Sequence, residues 1–196
     1  MARKALKRHI PNVLTSVRIL LVIPVAYYLF ESNYLYSLAL FLFAGISDAV
    51  DGYLARRFLW TSNFGAWADP LADKLIVGVV FVVLAIQGLV PAWLVFVTIG
   101  RDLIILCGAA TYRKLFGKID IAPTILSKVN TVVQILALLL VMVTLLDIPQ
   151  LMKNDYMLDV VFIIVGIFSI LSGIDYVISW IRRARSSWRT REEKAT

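Results

Sequence analysis

Apolar positions in this chain come in long unbroken runs, without the strict alternation of a half-buried strand. Each run is near the ~20 residues that a helix needs to cross a bilayer. The runs cover residues 13–30, 34–57, 69–89, 92–115, 125–146 and 157–181. They predict an all-α integral membrane protein, a bundle of six transmembrane helices behind a short amphipathic N-terminal segment, MARKALKRHIPN. A basic start before an apolar run also describes a signal peptide. Here Pro24 interrupts the run and no small-residue cleavage site follows, so the first span is expected to be retained. Residues 1–187 read as one membrane domain and residues 188–196 as a disordered polar tail. No fixed-period repeat is visible.

Charges at the ends of the runs orient them. Arg3, Lys4, Lys7 and Arg8 precede the first span, and Arg56 and Arg57 end the second. Arg113, Lys114 and Lys118 follow the fourth, and Arg182, Arg183, Arg185, Arg189 and Arg191 follow the sixth. The opposite loops, 31–33, 87–91 and 147–157, carry Lys153 as their one basic residue. By the positive-inside rule both termini are cytosolic. A bacterial inner membrane is the expected location, with a mitochondrial inner membrane as the alternative.

Composition agrees. The chain has 196 residues, 60% of them hydrophobic, against ~45–50% in a soluble domain. The net charge of +7 is concentrated near the two ends and fits anionic lipid headgroups; no nucleic-acid partner is expected. Cys107 is the single cysteine, which excludes an intramolecular disulfide. Its apolar neighbours predict a small buried residue. His9, the only histidine, sits among basic residues and reads as interfacial and non-catalytic.

Against this apolar background one stretch stands out: DAVDGYLARRFLWTSNFGAWADPLAD, residues 48–73. On a helix Asp48 and Asp51 lie about 60° apart, and Gly52 and Ala55 share their face, with Arg56 near its edge. Downstream, Gly65, Asp69 and Asp73 recur every four residues and so share a face of the next helix, with Pro70 expected in its first turn. Intramembrane carboxylates are costly and usually mark a functional site. With no His or Cys nearby, all-oxygen ligation suits Mg²⁺ or Mn²⁺ better than zinc. Paired metals on shared carboxylates are a recurrent device for phosphoryl transfer. The plainer alternative makes some of these aspartates helix caps or partners of Arg56 and Arg57.

Other polar residues gather on the cytosolic side. Asn12, Thr15 and Arg18 form N-x-L-T-x-x-R at the head of span one, where Asn12 or Thr15 could instead cap a helix and Arg18 snorkel to phosphate. Arg101 and Asp102 fall inside span four. As sequence neighbours they point about 100° apart, so a mutual contact is not expected. Arg101 is then a candidate anion ligand, with a structural ion pair as the alternative. Span five opens on Pro-Thr-Ile-Leu-Ser-Lys-Val-Asn-Thr, residues 123–131, which sets Ser127, Asn130 and Thr131 beside Lys128. Thr124 or Ser127 as an N-cap is the simpler account. Asp175, near the end of span six, has no clear assignment.

The pattern D48-x2-D51-G52-x2-A55-R56-x8-G65-x3-D69-x3-D73 matches the signature of the CDP-alcohol phosphatidyltransferases at eight specified positions, and the resemblance extends over nearly the whole chain. It implies a six-helix bundle whose polar cavity opens to the cytosol and to lipid. It also implies transfer of a phosphatidyl group from CDP-diacylglycerol to an alcohol, with release of CMP. In that chemistry Asp48, Asp51 and Asp69 suit two divalent cations, Mg²⁺ or Mn²⁺, and Asp73 suits a general base that also touches a metal. Gly52, Ala55, Arg56, Gly65, Asn12 and Thr15 would line the site of the CDP moiety. Lys128, Arg101, Ser127, Asn130 and Arg113 would meet the acceptor. The segment at 125–131, with Ile10-Pro-Asn12 and residues 68–74, most resembles the CMP-forming cardiolipin synthases, which use phosphatidylglycerol. The phosphatidylglycerophosphate synthases, which use glycerol 3-phosphate, usually read Gly-Lys-x-Lys-Thr there, and this chain departs from that at Ser127 and Asn130. Inositol- or serine-type acceptors are weaker alternatives. A homodimer is compatible with the resemblance, since dimers are common in the family. The competing classes are a transporter or channel, which would usually place its acids at the midplane between repeated halves, and a scaffold without chemistry.

Overall fold

The computed structural model of the chain describes the backbone over residues 2–58, 65–116, 124–146 and 155–192, and side chains over 16–50, 52, 74–111, 124–146 and 156–182. Six helices account for the described residues: α1 (Ala2–Phe30), α2 (Tyr34–Phe58), α3 (Gly65–Ile86), α4 (Ala92–Phe116), α5 (Ile125–Thr144) and α6 (Asp155–Glu192). Each overlaps one of the expected runs, although α3 stops at Ile86 and α5 at Thr144, short of the expected ends at 89 and 146. The other differences lie at the ends, where charge rather than apolarity sets the composition. The basic N-terminal segment is not separate from the first span, because α1 is continuous through it and through Pro24. Pro24 removes one backbone donor, but its fixed φ is already helical. Helix α6 likewise runs on to Glu192, so residues 188–192 are helical and not the disordered start of a tail. Helix α3 begins at Gly65, which places Pro70 in the second turn rather than the first.

Among the described residues, three segments are long and apolar enough to cross a membrane: Ala92–Thr111, Ile125–Thr144 and Tyr156–Arg182. Ser16–Phe30, Tyr34–Val50 and Lys74–Ile86 are shorter apolar helical stretches. Burial differs from that of a water-soluble protein. Beside an apolar core, Ser37, Thr98, Arg101, Asn130, Gln134, Ser169 and Ser172 are buried, while Leu20, Ile23, Ile104, Ile163 and Phe96 (79%) are exposed. Inward polar side chains bond to neighbouring helices or to their own backbone, and many large apolar ones face outward. That is the pattern of a helical membrane protein.

The chain divides into two compact units, one of Met1–Val90 with Leu138–Lys153, the other of Pro91–Ala137 with Asn154–Thr196. In the first, α1 packs against both α2 and α3, around Val25, Leu29, Phe41, Val80, Phe81 and Leu84. Two tight turns close this unit at one end. Ser32 (φ 56°) and Gly88 (φ 75°) adopt left-handed backbone after α1 and α3. The amides of Asn33 and Leu89 then reach back to the carbonyls of Tyr28 (2.8 Å) and Leu84 (2.9 Å), satisfying helix-end acceptors as a Schellman cap does. Gln87 Nε2 also donates to Leu29 O at 2.7 Å and ties one turn to the other. In the second unit α4 packs on α6. The Trp93 ring lies over Gly166, where a Cβ would come within 2.7 Å of it, and Trp180 covers Gly108.

Candidate active site

The aspartates occupy two helix segments of the first unit. Asp48 and Asp51 lie on the C-terminal part of α2; Gly65, Asp69 and Asp73 lie in the first three turns of α3, on one continuous helix as their spacing requires. Because α1 packs against both helices, it holds the two halves of the signature in one unit. The side chains of Asp51, Ala55, Arg56, Asp69 and Asp73 lie outside the described residues, as do those of Asn12, Thr15 and Arg113. Gly65 is described only as the first residue of α3. Among the described side chains no group of three or more acidic, histidine or cysteine residues converges.

One contact in this region went unanticipated. The Arg18 guanidinium, 5% exposed, forms an ion pair with the Asp48 carboxylate, which is 40% exposed. Arg18 therefore reaches across from α1 to the signature helix instead of snorkelling to lipid phosphate. The signal was present in the sequence as a cation within span one and an anion within span two, which opposite charge could bring together. Pairing lowers the cost of each charge in an apolar setting. The pair engages one Asp48 oxygen, Oδ1, and the carboxylate remains partly open. Gly52, one turn further along α2, is half-buried. Of the four aspartates, Asp48 is the one whose side chain is described, and its hard oxygen donors are of the kind a divalent cation takes.

The second unit contains the other polar group. Arg101, 4% exposed, donates from Nη1 to Asp102 Oδ1 at 2.5 Å. Its Nη2 serves both Ser127 Oγ on α5 and Ser172 Oγ on α6, each at 2.6 Å. The expectation that adjacent Arg101 and Asp102 would not meet is overturned: the arginine stem is long enough to fold its head back across the 100° between them. Thr124 caps α5, its Oγ1 accepting from the Ser127 amide at 3.2 Å. Deeper in, Ser169 Oγ donates to Asn130 Oδ1 at 3.0 Å and accepts from Gln134 Nε2 at 3.4 Å. Arg101 and Asn130 thus face neighbouring helices, with neither side chain open to solvent, whereas Lys128 is exposed. Ser169 and Ser172 escaped attention in the sequence because isolated serines in an apolar run carry no distinctive spacing. Cys107 is exposed, not buried as expected, on an outward helix face with Leu103 and Ile104.

Helices that bury polar side chains and expose large apolar ones, with four aspartates divided between the end of α2 and the start of α3, define a helical membrane protein. The family model for CDP-alcohol phosphatidyltransferase matches residues 8–181, and the chain belongs to that family. Its relatives carry two kinds of name. A probable CMP-forming cardiolipin synthase of Drosophila melanogaster is 34% identical over 142 residues, 64% of this chain and 44% of that protein. A CDP-diacylglycerol–glycerol-3-phosphate 3-phosphatidyltransferase of Bacillus subtilis is 34% identical over 137 residues, covering 70% and 69%. A protein of the same name from Wigglesworthia glossinidia brevipalpis is 31% identical over 195 residues, covering 94% and 97%. The chain spans less than half the length of the Drosophila relative and 48% of the human cardiolipin synthase.

Proposed function

We propose that this protein is a membrane-embedded transferase that moves the phosphatidyl group of CDP-diacylglycerol to a glycerol-bearing acceptor and releases CMP. The observation that carries the reading is the complete aspartate–glycine signature, within a family match that covers residues 8–181. Six spans with both termini cytosolic are the topology that the charge asymmetry favours. Asp48, Asp51, Asp69 and Asp73 would hold two divalent cations, Mg²⁺ or Mn²⁺, which when bound would neutralise pyrophosphate charge and polarise the phosphoryl group under attack.

The chain's own residues account for the remaining steps. Gly52, Ala55 and Gly65 leave space for the nucleotide beside the helix backbones, with Asn12 and Thr15 near it. Arg56 offers a fork of donors to a phosphate oxygen. Asp73 takes the proton of the acceptor hydroxyl as its oxygen bonds to the phosphorus bearing diacylglycerol. The bond from that phosphorus to the CMP oxygen breaks, and CMP leaves with the electron pair. Arg18 holds Asp48 in place. At the head of α5, Lys128 and Ser127, with Arg113, meet the acceptor; Arg101 and Asn130 stand behind them.

Phosphatidylglycerol is the favoured acceptor. It is a monoanionic diester already delivered by the membrane, so one or two cations with a hydroxyl partner at the α5 head suffice. Glycerol 3-phosphate, a soluble dianion, calls for several converging cations. A second reading with glycerol 3-phosphate draws support from the near full-length likeness to the Wigglesworthia protein of that name. Purified protein given CDP-diacylglycerol with each acceptor separates them. Cardiolipin from phosphatidylglycerol, with little product from glycerol 3-phosphate, is expected; rapid phosphatidylglycerophosphate formation would reverse the choice of acceptor.

A further inference from the structure

The face of α6 toward α5 carries two serines one turn apart, both fully buried. Opposite them, α5 presents Ser127 and Asn130, also one turn apart. The two helices are joined there by two polar rungs. The upper rung runs from Ser172 through the Arg101 guanidinium to Ser127, with both legs at 2.6 Å. The lower runs directly from Ser169 to Asn130 at 3.0 Å, braced by Gln134 at 3.4 Å. Apolar packing alone holds membrane helices by shape and tolerates sliding and rotation. Hydrogen bonds between helices fix register, because breaking one inside an apolar environment leaves groups unsatisfied. Rungs at 127 and 130 therefore fix the rotation of the first α5 turn. That rotation sets the direction of Lys128, about 100° from Ser127 and exposed.

We infer that Arg101, Ser172 and Ser169 are positioning residues for the acceptor alcohol. They lock the head of α5 so that Lys128 and Ser127 face it, and do not touch it themselves. Arg101 is suited to this: it is 4% exposed, with Nη1 and Nη2 both on protein oxygens, although its Nε has no such partner. The inference rests on the transferase reading for its acceptor half, and on the two rungs alone for its mechanical half.

The test uses the full chain in lipid nanodiscs, with Ser172→Ala, Ser169→Ala, the double variant, and Ser172→Thr, which keeps the hydroxyl. The double variant is expected to raise KM for the acceptor about tenfold, the scale of a lost hydrogen bond or two. KM for CDP-diacylglycerol stays unchanged, and Ser172→Thr recovers most of the loss left by Ser172→Ala. Backbone hydrogen exchange over residues 125–131 should quicken in the double variant while that of α1 does not. Equal rises in both KM values, or unaltered acceptor KM, would overturn the positioning role. Unaltered exchange would overturn the lock itself. A wild-type protein that released no CMP with any alcohol would instead defeat the transferase reading and the acceptor half, with the exchange result still deciding the lock.

Discussion

Asp48 has two demands on it: the Arg18 guanidinium in the folded helices and, in the proposed chemistry, a divalent cation. Substitutions separate the two. Asp48→Ala removes the carboxylate that a nearly buried arginine pairs with, so it should cost about 1.5–3 kcal/mol of stability as well as activity. Asp48→Asn keeps an acceptor for Arg18 and should lose activity with a smaller loss of stability. Thermal unfolding in detergent beside a CMP-release assay distinguishes them; equal stability of the two variants would argue against the Arg18 pair. Asp73→Asn preserves size and removes the proposed base. It should still bind CDP-diacylglycerol but transfer about 10²–10⁴-fold more slowly, and a near-normal rate would move the base elsewhere. At this scale the sequence was informative about residue types and less so about partners. The aspartate spacing was sufficient to place Asp69 and Asp73 on one face. That Arg18 closes on Asp48, or that Arg101 curls back to Asp102, depends on side-chain reach and on which helices pack together, neither of which is encoded in local spacing.

Helices were legible because a bilayer imposes apolar runs of fixed length. The interior of all six elements follows from those runs, whereas the continuation of α1 and α6 into charged sequence does not. Helicity there needs no apolar face. Contacts between helices were less legible, and glycines in α2 and α6 illustrate why. In sequence Gly45 and Gly166 look alike. In the structure a Cβ on Gly166 would fall 2.7 Å from the Trp93 ring, and one on Gly45 would meet nothing within 4 Å. Gly166→Ala is therefore expected to destabilise the α4–α6 pair by about 1–3 kcal/mol through overpacking. Gly45→Ala should be neutral or stabilising by up to about 1 kcal/mol through helix propensity. Unfolding midpoints of the two variants check this, and a larger loss from Gly45→Ala would contradict the packing described.

For the molecule as a whole, the charge asymmetry predicts orientation. In a background with Cys107 replaced, cysteines placed near residues 5 and 190 should stay protected from an impermeant thiol reagent added outside, and cysteines near residues 33 and 154 should react. Labelling of either terminus from outside would overturn the cytosolic placement of the aspartates. CMP release reads out the proposed reaction itself. Purified protein in bilayers, given CDP-diacylglycerol, phosphatidylglycerol and Mg²⁺ or Mn²⁺, should release CMP in step with new phospholipid. Release should stop with a chelator or with Asp51→Ala or Asp69→Ala. Undiminished turnover in metal-free buffer would contradict the metal-dependent mechanism, and no CMP with any glycerol-bearing acceptor would contradict the transferase itself.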